Sequence, residues 1–255
     1  MTSATEAAAE SIAARQSGRL RVPRIAAVPS PELPEASRAR PDAKAEAQRH
    51  ALNVAVALVL FVILLPVMLL IAAAIRLTSP GPVIYKQIRV GIDRRRKDVS
   101  DDNPRRLVDY GGRLFTMYKF RTMTADPDAS LQIWAKPNDS RVTGLGRVLR
   151  SLRLDELPQL INVIRGDMNI VGPRPEQPNI FLTLRDEVNH YQDRQRVLPG
   201  ITGWAQINHH YDRCVDDVRK KVEYDLEYIR RSSIAEDARI LAQTLPVMMF
   251  KKGAL

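Results

Sequence analysis

Two adjacent carboxylates, Asp155 and Glu156, open the segment DELPQLINVI and have the residue types best suited to chemistry in this sequence. Leu157 and Leu160 share one helical face here, and Pro158 suits a first helical turn because the N–H it lacks would be unpaired there. Asp155 is therefore expected at or near a helix N-cap, where the positive helix end favours its ionised form. A carboxylate held in this way is a nucleophile, a metal ligand or only a cap.

Basic residues cluster around this pair in the sequence. Three arginines precede the carboxylates within about two helical turns, and a fourth follows in a Gly-Pro-Arg-Pro segment. They are Arg147, Arg150, Arg153 and Arg174. An arginine between two prolines has a stiff backbone, and a fixed guanidinium suits bidentate recognition of phosphate. Pairing with a surface carboxylate is the alternative for Arg174.

Lys119 and Arg121 lie in the segment MYKFRTM and alternate with apolar or neutral residues at the period of a β-strand. Both basic side chains are therefore expected to project from the same face of the strand. A strand face with two cations is either an anion site or a solvated edge, and the pattern does not separate the two.

Asp225 falls within the apolar stripe of a predicted helix at 215–231. An acidic side chain in such a stripe must be paired or must face a polar cleft, because burying a lone charge is costly. Two interpretations remain open. Asp225 forms a structural salt bridge with a core arginine, or its carboxylate faces a ligand.

Several other chemistries are excluded by the sequence. The single cysteine, Cys214, cannot form an intrachain disulfide or a cysteine zinc cage. None of the four histidines pairs with a second histidine or a cysteine at metal-ligand spacing. The phosphate loop of nucleotide hydrolases, the glycine-rich dinucleotide loop and the serine nucleophile elbow are all missing.

Residues 51–75 are uncharged and almost wholly apolar. A helix of this length measures about 37 Å, enough for a hydrocarbon core of about 30 Å, and a buried core helix of this kind would need a much larger soluble core. Pro66 should kink or break the helix near its middle. Because Arg49 and Arg76 place positive charge at both ends, a re-entrant hairpin is favoured over a straight span.

The net charge of +10 comes mostly from residues 76–121, which carry 12 basic and 5 acidic side chains. The run from Arg94 to Lys97 suits contact with anionic lipid headgroups. Nucleic-acid binding is disfavoured because aromatic residues are not interleaved with these cations.

The predicted organisation has three parts: a disordered tail at 1–45, a membrane-embedded re-entrant helix at 46–80 and a compact domain at 81–255. Short strands and amphipathic helices alternate in the last part. They are expected at Val83–Tyr85, Leu114–Phe120, Gly146–Arg153, Leu157–Ile164, Met168–Val171, Val215–Arg231 and Ala235–Phe250. The fold class is therefore a helix-rich α+β domain with interfacial amphipathic helices behind a membrane hairpin broken at a proline.

Taken together, these motifs resemble the bacterial sugar transferase family, the monotopic polyprenyl-phosphate hexose-1-phosphate transferases that initiate surface-glycan assembly. The similarity rests on the apolar block with its proline, then SPGPVIYKQIRVG, FTMYKFRTM, DELPQLINVIRGDMNIVGPRPE, LPGITGWAQIN and VEYDLEYI, in the order of the family. It covers residues 50–250. The charged stretch at 92–111 departs from the family, which usually has a short connection there, and the tail before residue 50 has no counterpart in minimal members.

The resemblance implies transfer of hexose 1-phosphate from a UDP-sugar to undecaprenyl phosphate, with release of UMP at the cytoplasmic face of the bacterial inner membrane. It implies Asp155 as the nucleophile of a phosphosugar–aspartyl intermediate and Glu156 as a partner in holding Mg²⁺, or Mn²⁺ in its place. Substrate or phosphate contacts are implied for six further side chains: Lys119, Arg121, Arg147, Arg150, Arg174 and Asp225. Partners would be the two substrates and anionic lipids, with a homodimer left open. The alternative is a non-catalytic membrane anchor that acts through its basic patch.

Overall fold

The computed structural model describes residues 43–93, 110–124, 139–209 and 215–249, all within one compact unit. The predicted tail at 1–45, the charged stretch at 92–111 and the basic run from Arg94 to Lys97 lie wholly or largely outside the described residues.

The apolar segment forms one long helix, α1 (Ala43–Thr78), which is apolar on all sides over most of its length. Its mean hydropathy reaches 3.3, and by length and composition it could cross a membrane. The helix runs through Pro66 without interruption, so the structure shows one helix where the sequence analysis expected a kink or a break. Large apolar side chains are exposed along its middle, Val62, Ile63 and Leu70 most of all. Such a surface identifies a membrane-associated segment.

The C-terminal half of α1 packs on the domain that follows. Met68, Ile71 and Ile75 form a buried apolar cluster with Phe120 and Leu149. The burial of these five side chains fixes one end of α1 against the sheet and the next helix.

The N-terminal end of α1 is held to the same domain by polar contacts. Arg49 forms an ion pair with Asp237 at 3.3 Å, and Asn53 accepts a hydrogen bond from the backbone N–H of Ile170 at 2.9 Å. Both ends of α1 therefore contact one compact unit. Phe61, near the middle of α1, packs against the same apolar cluster, while many of the other apolar side chains between the two ends are exposed.

Two strands form an antiparallel hairpin after α1. They are β1 (Ile84–Val90) and β2 (Leu114–Phe120), with Tyr85 opposite Lys119. The predicted strand at 114–120 is confirmed. Buried Asn162 lies beside β2, accepting a hydrogen bond from the Tyr118 N–H and donating to the Thr116 carbonyl. This amide fixes the strand that carries Lys119.

The remainder is rich in helices, which confirms the helix-rich α+β class. In chain order the elements are α2 (Gly144–Ser151), a 3₁₀ turn (Leu154–Glu156), α3 (Gln159–Ile164), β3 (Asn169–Val171), α4 (Pro178–Glu187), a 3₁₀ helix (Tyr191–Arg196), β4 (Gly200–Thr202), α5 (Trp204–Asn208), α6 (Val215–Arg231) and α7 (Ile234–Met249). Strands β3 and β4 pair in parallel. Helix α6 has the bounds predicted from the sequence, whereas α4, α5, β4 and the 3₁₀ helix were not predicted.

Candidate active site

The acidic pair lies on a short 3₁₀ turn between α2 and α3. Arg153 directly before it adopts a left-handed conformation with φ of 57°, which reverses the chain and directs Asp155 and Glu156 inward. Each carboxylate residue is only 7% exposed. The prediction of an N-cap at Asp155 is wrong, because α3 begins later, at Gln159, and Pro158 occupies its cap position without a side-chain bond.

Glu156 is neutralised by two cations from distant parts of the chain. Its Oε1 accepts from Lys119 Nζ at 3.0 Å and from Arg174 Nη2 at 2.7 Å. Burial alone would raise the pKa of Glu156, but the Arg174 and Lys119 charges hold it well below its usual range. Glu156 therefore stays ionised and keeps both cations beside the acidic pair.

Asp155 has a different environment. Among the residues that the structure describes, no basic side chain forms an ion pair with it. Burial raises the pKa of Asp155, the neighbouring Glu156 charge adds to the rise, and Lys119 and Arg174 oppose it. The expected lowering by a helix end is therefore wrong. A carboxylate with a raised pKa is more basic, which favours nucleophilic attack once it is ionised.

The two cations themselves respond in opposite directions. Burial lowers the pKa of Lys119, with Glu156 opposing, whereas the Glu156 charge raises the pKa of Arg174. Arg174 therefore keeps its charge, and the contact with Glu156 favours the charged form of Lys119 against the effect of burial. Two fixed positive groups beside a free carboxylate can hold the oxygens of a phosphate group.

Of the two predicted arginines on α2, the structure brings one close to the pair. Thr143 caps this helix by accepting from the Gly146 N–H at 2.9 Å, and Leu149 packs against α1. Arg150 is half-buried, and its charge acts to lower the pKa of Asp155. Arg147 lies exposed on the surface.

Arg121 contacts the turn after α1 rather than the acidic pair. It lies past the end of β2, where its Nη2 donates to the Ser79 carbonyl and hydroxyl at 2.8 Å and its Nη1 donates to the Pro80 carbonyl. Its side chain is buried in these contacts with the turn, and the predicted phosphate contact stays a prediction. Arg121 holds the turn that follows the membrane-associated helix.

Asp225 forms an ion pair with a buried arginine. Its Oδ2 accepts from Arg194 Nε at 2.6 Å, and the two side chains are 2% and 1% exposed. Of the two interpretations left open by the sequence, the salt bridge with a core arginine is the one seen, and a ligand contact of Asp225 stays a prediction. Arg194 was missed because it lies 31 residues away, on an element whose local pattern predicts no partner.

The acidic pair was also predicted to hold a divalent metal ion. The described residues contain no group of three or more side chains that could ligate a metal. Mg²⁺ needs fewer protein ligands where phosphates complete its coordination, and one or two carboxylates then suffice. The donor set of Asp155 and Glu156 therefore fits Mg²⁺ only together with a phosphate-bearing substrate.

The site is thus a buried carboxylate pair with two basic partners, in a membrane-associated domain whose first helix has an exposed apolar surface. The family model of the bacterial sugar transferases matches residues 44–251. The chain therefore belongs to the bacterial sugar transferase family.

Three relatives give this membership more detail. A UDP-N-acetylgalactosamine-undecaprenyl-phosphate N-acetylgalactosaminephosphotransferase of Aeromonas hydrophila is 37% identical over 206 residues, covering 81% of this chain and 44% of the relative. A UDP-glucose:undecaprenyl-phosphate glucose-1-phosphate transferase of Xanthomonas campestris pv. campestris is 40% identical over 192 residues, covering 74% and 36%. An enzyme of the same name from Caulobacter vibrioides is 34% identical, covering 84% and 74%. The chain thus spans less than half the length of the first two.

Proposed function

We propose that this protein transfers hexose 1-phosphate from a UDP-sugar to undecaprenyl phosphate, giving undecaprenyl-diphosphate-sugar and UMP. Three relatives carry names for this general reaction with glucose or N-acetylgalactosamine. The observation that carries the proposal is that the two carboxylates of the acidic pair have different partners. Glu156 is bound to Lys119 and Arg174, while Asp155 remains basic and unpaired among the described residues.

The reaction would proceed in two displacements at one phosphorus atom. An Asp155 carboxylate oxygen attacks the phosphorus that carries the sugar, and the bond to the oxygen bridging the two phosphates breaks, so that UMP leaves with that oxygen. A phosphate oxygen of undecaprenyl phosphate then attacks the same phosphorus and releases Asp155. Lys119 and Arg174 would neutralise the phosphate oxygens in both steps.

The proposal includes a divalent metal ion because the two carboxylates are suitable ligands for one. Asp155 and Glu156 would hold Mg²⁺, or Mn²⁺, together with the substrate phosphates. The ion would supply further positive charge at the diphosphate. Glu156 is suited to this part because its low pKa keeps it ionised, and Lys119 and Arg174 both contact its Oε1 rather than its Oε2.

The membrane arrangement is part of the same proposal. We place the domain at the cytoplasmic face of the inner membrane, with α1 as a re-entrant helix bent near Pro66. Contacts at both ends of α1 with one domain support this, because a spanning helix would put Arg49 and Ile75 about 39 Å apart on opposite sides of the bilayer. The exposed apolar residues between them would then enter the lipid. Undecaprenyl phosphate would be reached from the same side.

The experiment is UMP release by the purified full chain in lipid nanodiscs with Mg²⁺, undecaprenyl phosphate and a panel of UDP-sugars. One sugar should give UMP and labelled lipid in equal amounts. Without acceptor lipid, about one UMP per protein should appear, and the protein mass should rise by one hexose phosphate on Asp155.

Asp155→Asn should abolish both signals, and Asp186→Asn, a matched change of an exposed carboxylate on α4, should keep them. Absence of UMP with every sugar would overturn the proposal. Full activity of Asp155→Asn would overturn its mechanism.

A further inference from the structure

The loop that carries Arg174 is held by its carbonyl oxygens. Pro173 and Pro175 have no backbone N–H, so the loop cannot be fixed by donating at these positions. Instead, four successive carbonyls accept hydrogen bonds from other elements. The donors are the Gly200 N–H to Pro173 at 3.0 Å, Arg194 Nη2 to Arg174 at 2.9 Å, Arg89 Nη1 to Pro175 at 3.0 Å and the Val90 N–H to Glu176 at 2.9 Å.

The donor to the Arg174 carbonyl is itself tightly fixed. Arg194 Nε binds the Asp225 carboxylate at 2.6 Å, and its guanidinium lies over the Tyr191 ring at 5.0 Å. Arg194 is 1% exposed at its side chain. One guanidinium thus connects helix α6 to the backbone of the residue whose own guanidinium binds Glu156.

We infer that Arg194, held by Asp225, is a positioning residue that sets the place of the Arg174 guanidinium beside the acidic pair. The inference rests on the proposed function, in which Arg174 contacts the substrate phosphate. Asp225 then acts on the reaction through Arg194 and Arg174, without touching the substrate.

A purely stabilising role explains the pair less well. Removing two charges from water is costly, and buried ion pairs often contribute little net stability compared with apolar residues of the same size. Arg194 Nη1 is moreover buried without a hydrogen-bond partner. The pair instead orients the Arg194 side chain. Because the guanidinium is planar, fixing its Nε on Asp225 also fixes the direction in which Nη2 donates, which is towards the Arg174 carbonyl.

The test is a double-mutant cycle on kcat/KM for UMP release, with Asp225→Asn and Arg194→Lys each combined with Arg174→Lys. Each single change should lower kcat/KM by about 10- to 100-fold, because a small displacement of a positioned group is costly to the rate. In the Arg174→Lys background the same changes should cost less than about threefold, since the group being positioned is already altered.

Asp237→Asn is the matched control. It removes the carboxylate of another buried arginine pair, that of Arg49, which does not contact the loop. Asp237→Asn should change kcat/KM by the same factor in the wild-type and Arg174→Lys backgrounds. It should also lower the melting temperature by the same amount in both backgrounds. If Asp225→Asn and Arg194→Lys behave like this control, with equal factors in both backgrounds, the inference is wrong.

Hydrogen exchange gives a readout that does not need turnover. In Arg194→Lys the Gly200 and Val90 amides, which donate to the Pro173 and Glu176 carbonyls of the loop, should exchange faster, while peptides of α7 stay unchanged. An unchanged exchange rate at these two amides would overturn the inference even if no UDP-sugar were a substrate. Inactivity of the wild type together with faster exchange at these amides would instead contradict only the proposed function.

Discussion

Replacing Glu156 by glutamine should strengthen the binding of UDP-sugar in the absence of divalent cations and abolish turnover in their presence. The carboxylate holds Lys119 and Arg174 at 3.0 and 2.7 Å. An incoming diphosphate must share these cations with Glu156. The glutamine amide keeps the size of the side chain and removes its charge, so both cations become available to the phosphate.

The magnitude follows from the contacts. A hydrogen bond between charged groups contributes about 1.5–3 kcal/mol when well buried. The side chains of Lys119 and Arg174 are 16% and 32% exposed, so solvent weakens both contacts. In Glu156→Gln the phosphate no longer competes with this carboxylate for the two cations. We therefore expect the binding of UDP-sugar to gain about 1.5–2 kcal/mol. Because about 1.4 kcal/mol is a factor of ten, the dissociation constant should fall about 10- to 30-fold.

The assay is isothermal titration of UDP-sugar into the nanodisc-bound protein in EDTA, followed by UMP release with Mg²⁺. Turnover of Glu156→Gln should drop by at least about 100-fold, since a carboxylate ligand of the metal is lost. Glu227→Gln is the control, because Glu227 pairs with Arg231 at 2.8 Å and contacts neither the acidic pair nor the loop that carries Arg174. Weaker binding of Glu156→Gln in EDTA would refute the assignment of these cations to the phosphate.

Three further predictions follow from the same contacts. Because burial raises the pKa of Asp155, its charge costs folding free energy once the pH exceeds about 4, so Asp155→Asn should melt higher than wild type at about pH 7.5 and lose this advantage as the pH falls to about 4. An equal difference at both pH values would contradict this. Arg121→Lys should lower the free energy of unfolding by about 1–3 kcal/mol in a urea titration but leave UDP-sugar affinity unchanged, and a tenfold loss of affinity would restore its predicted phosphate role. In a Cys214→Ser background, cysteines at Ala45 and Gly112 should react with an impermeant reagent from the same side of sealed vesicles, and labelling from opposite sides would exclude the re-entrant topology.

The sequence predicted best those elements whose pattern is local and long. Helix Val215–Arg231 has a continuous apolar stripe, and strand Leu114–Phe120 has a clear alternation, so both have the predicted bounds. The same periodicity failed at Arg121, because strand alternation holds only inside a strand and β2 ends one residue earlier. Helix α3 begins two residues later than predicted, because the residues before it form a separate 3₁₀ turn after the left-handed Arg153.

The residue types of the candidate site could be predicted from the sequence, but their ion-pair partners could not. Its residue types and the cation-rich surroundings of Asp155 could be recognised from short motifs. The partners could not, because Lys119 and Glu156 lie 37 residues apart and Arg194 and Asp225 lie 31 apart. Periodicity required a partner for Asp225 but contains no information on which arginine supplies it. The raised pKa of Asp155 likewise depends on burial, which only the tertiary packing determines.

The closeness of the apolar helix α1 to the acidic pair affects how a lipid acceptor would reach the site. Phe120 packs against α1, and the next residue back along the strand, Lys119, binds Glu156. Adjacent residues of one strand therefore contact the helix that associates with lipid and the acidic pair. A lipid acceptor would reach this site by lateral diffusion in two dimensions, so the rate should depend on its mole fraction in the bilayer. Diluting the vesicles in buffer with the same UDP-sugar concentration should leave the rate per protein unchanged.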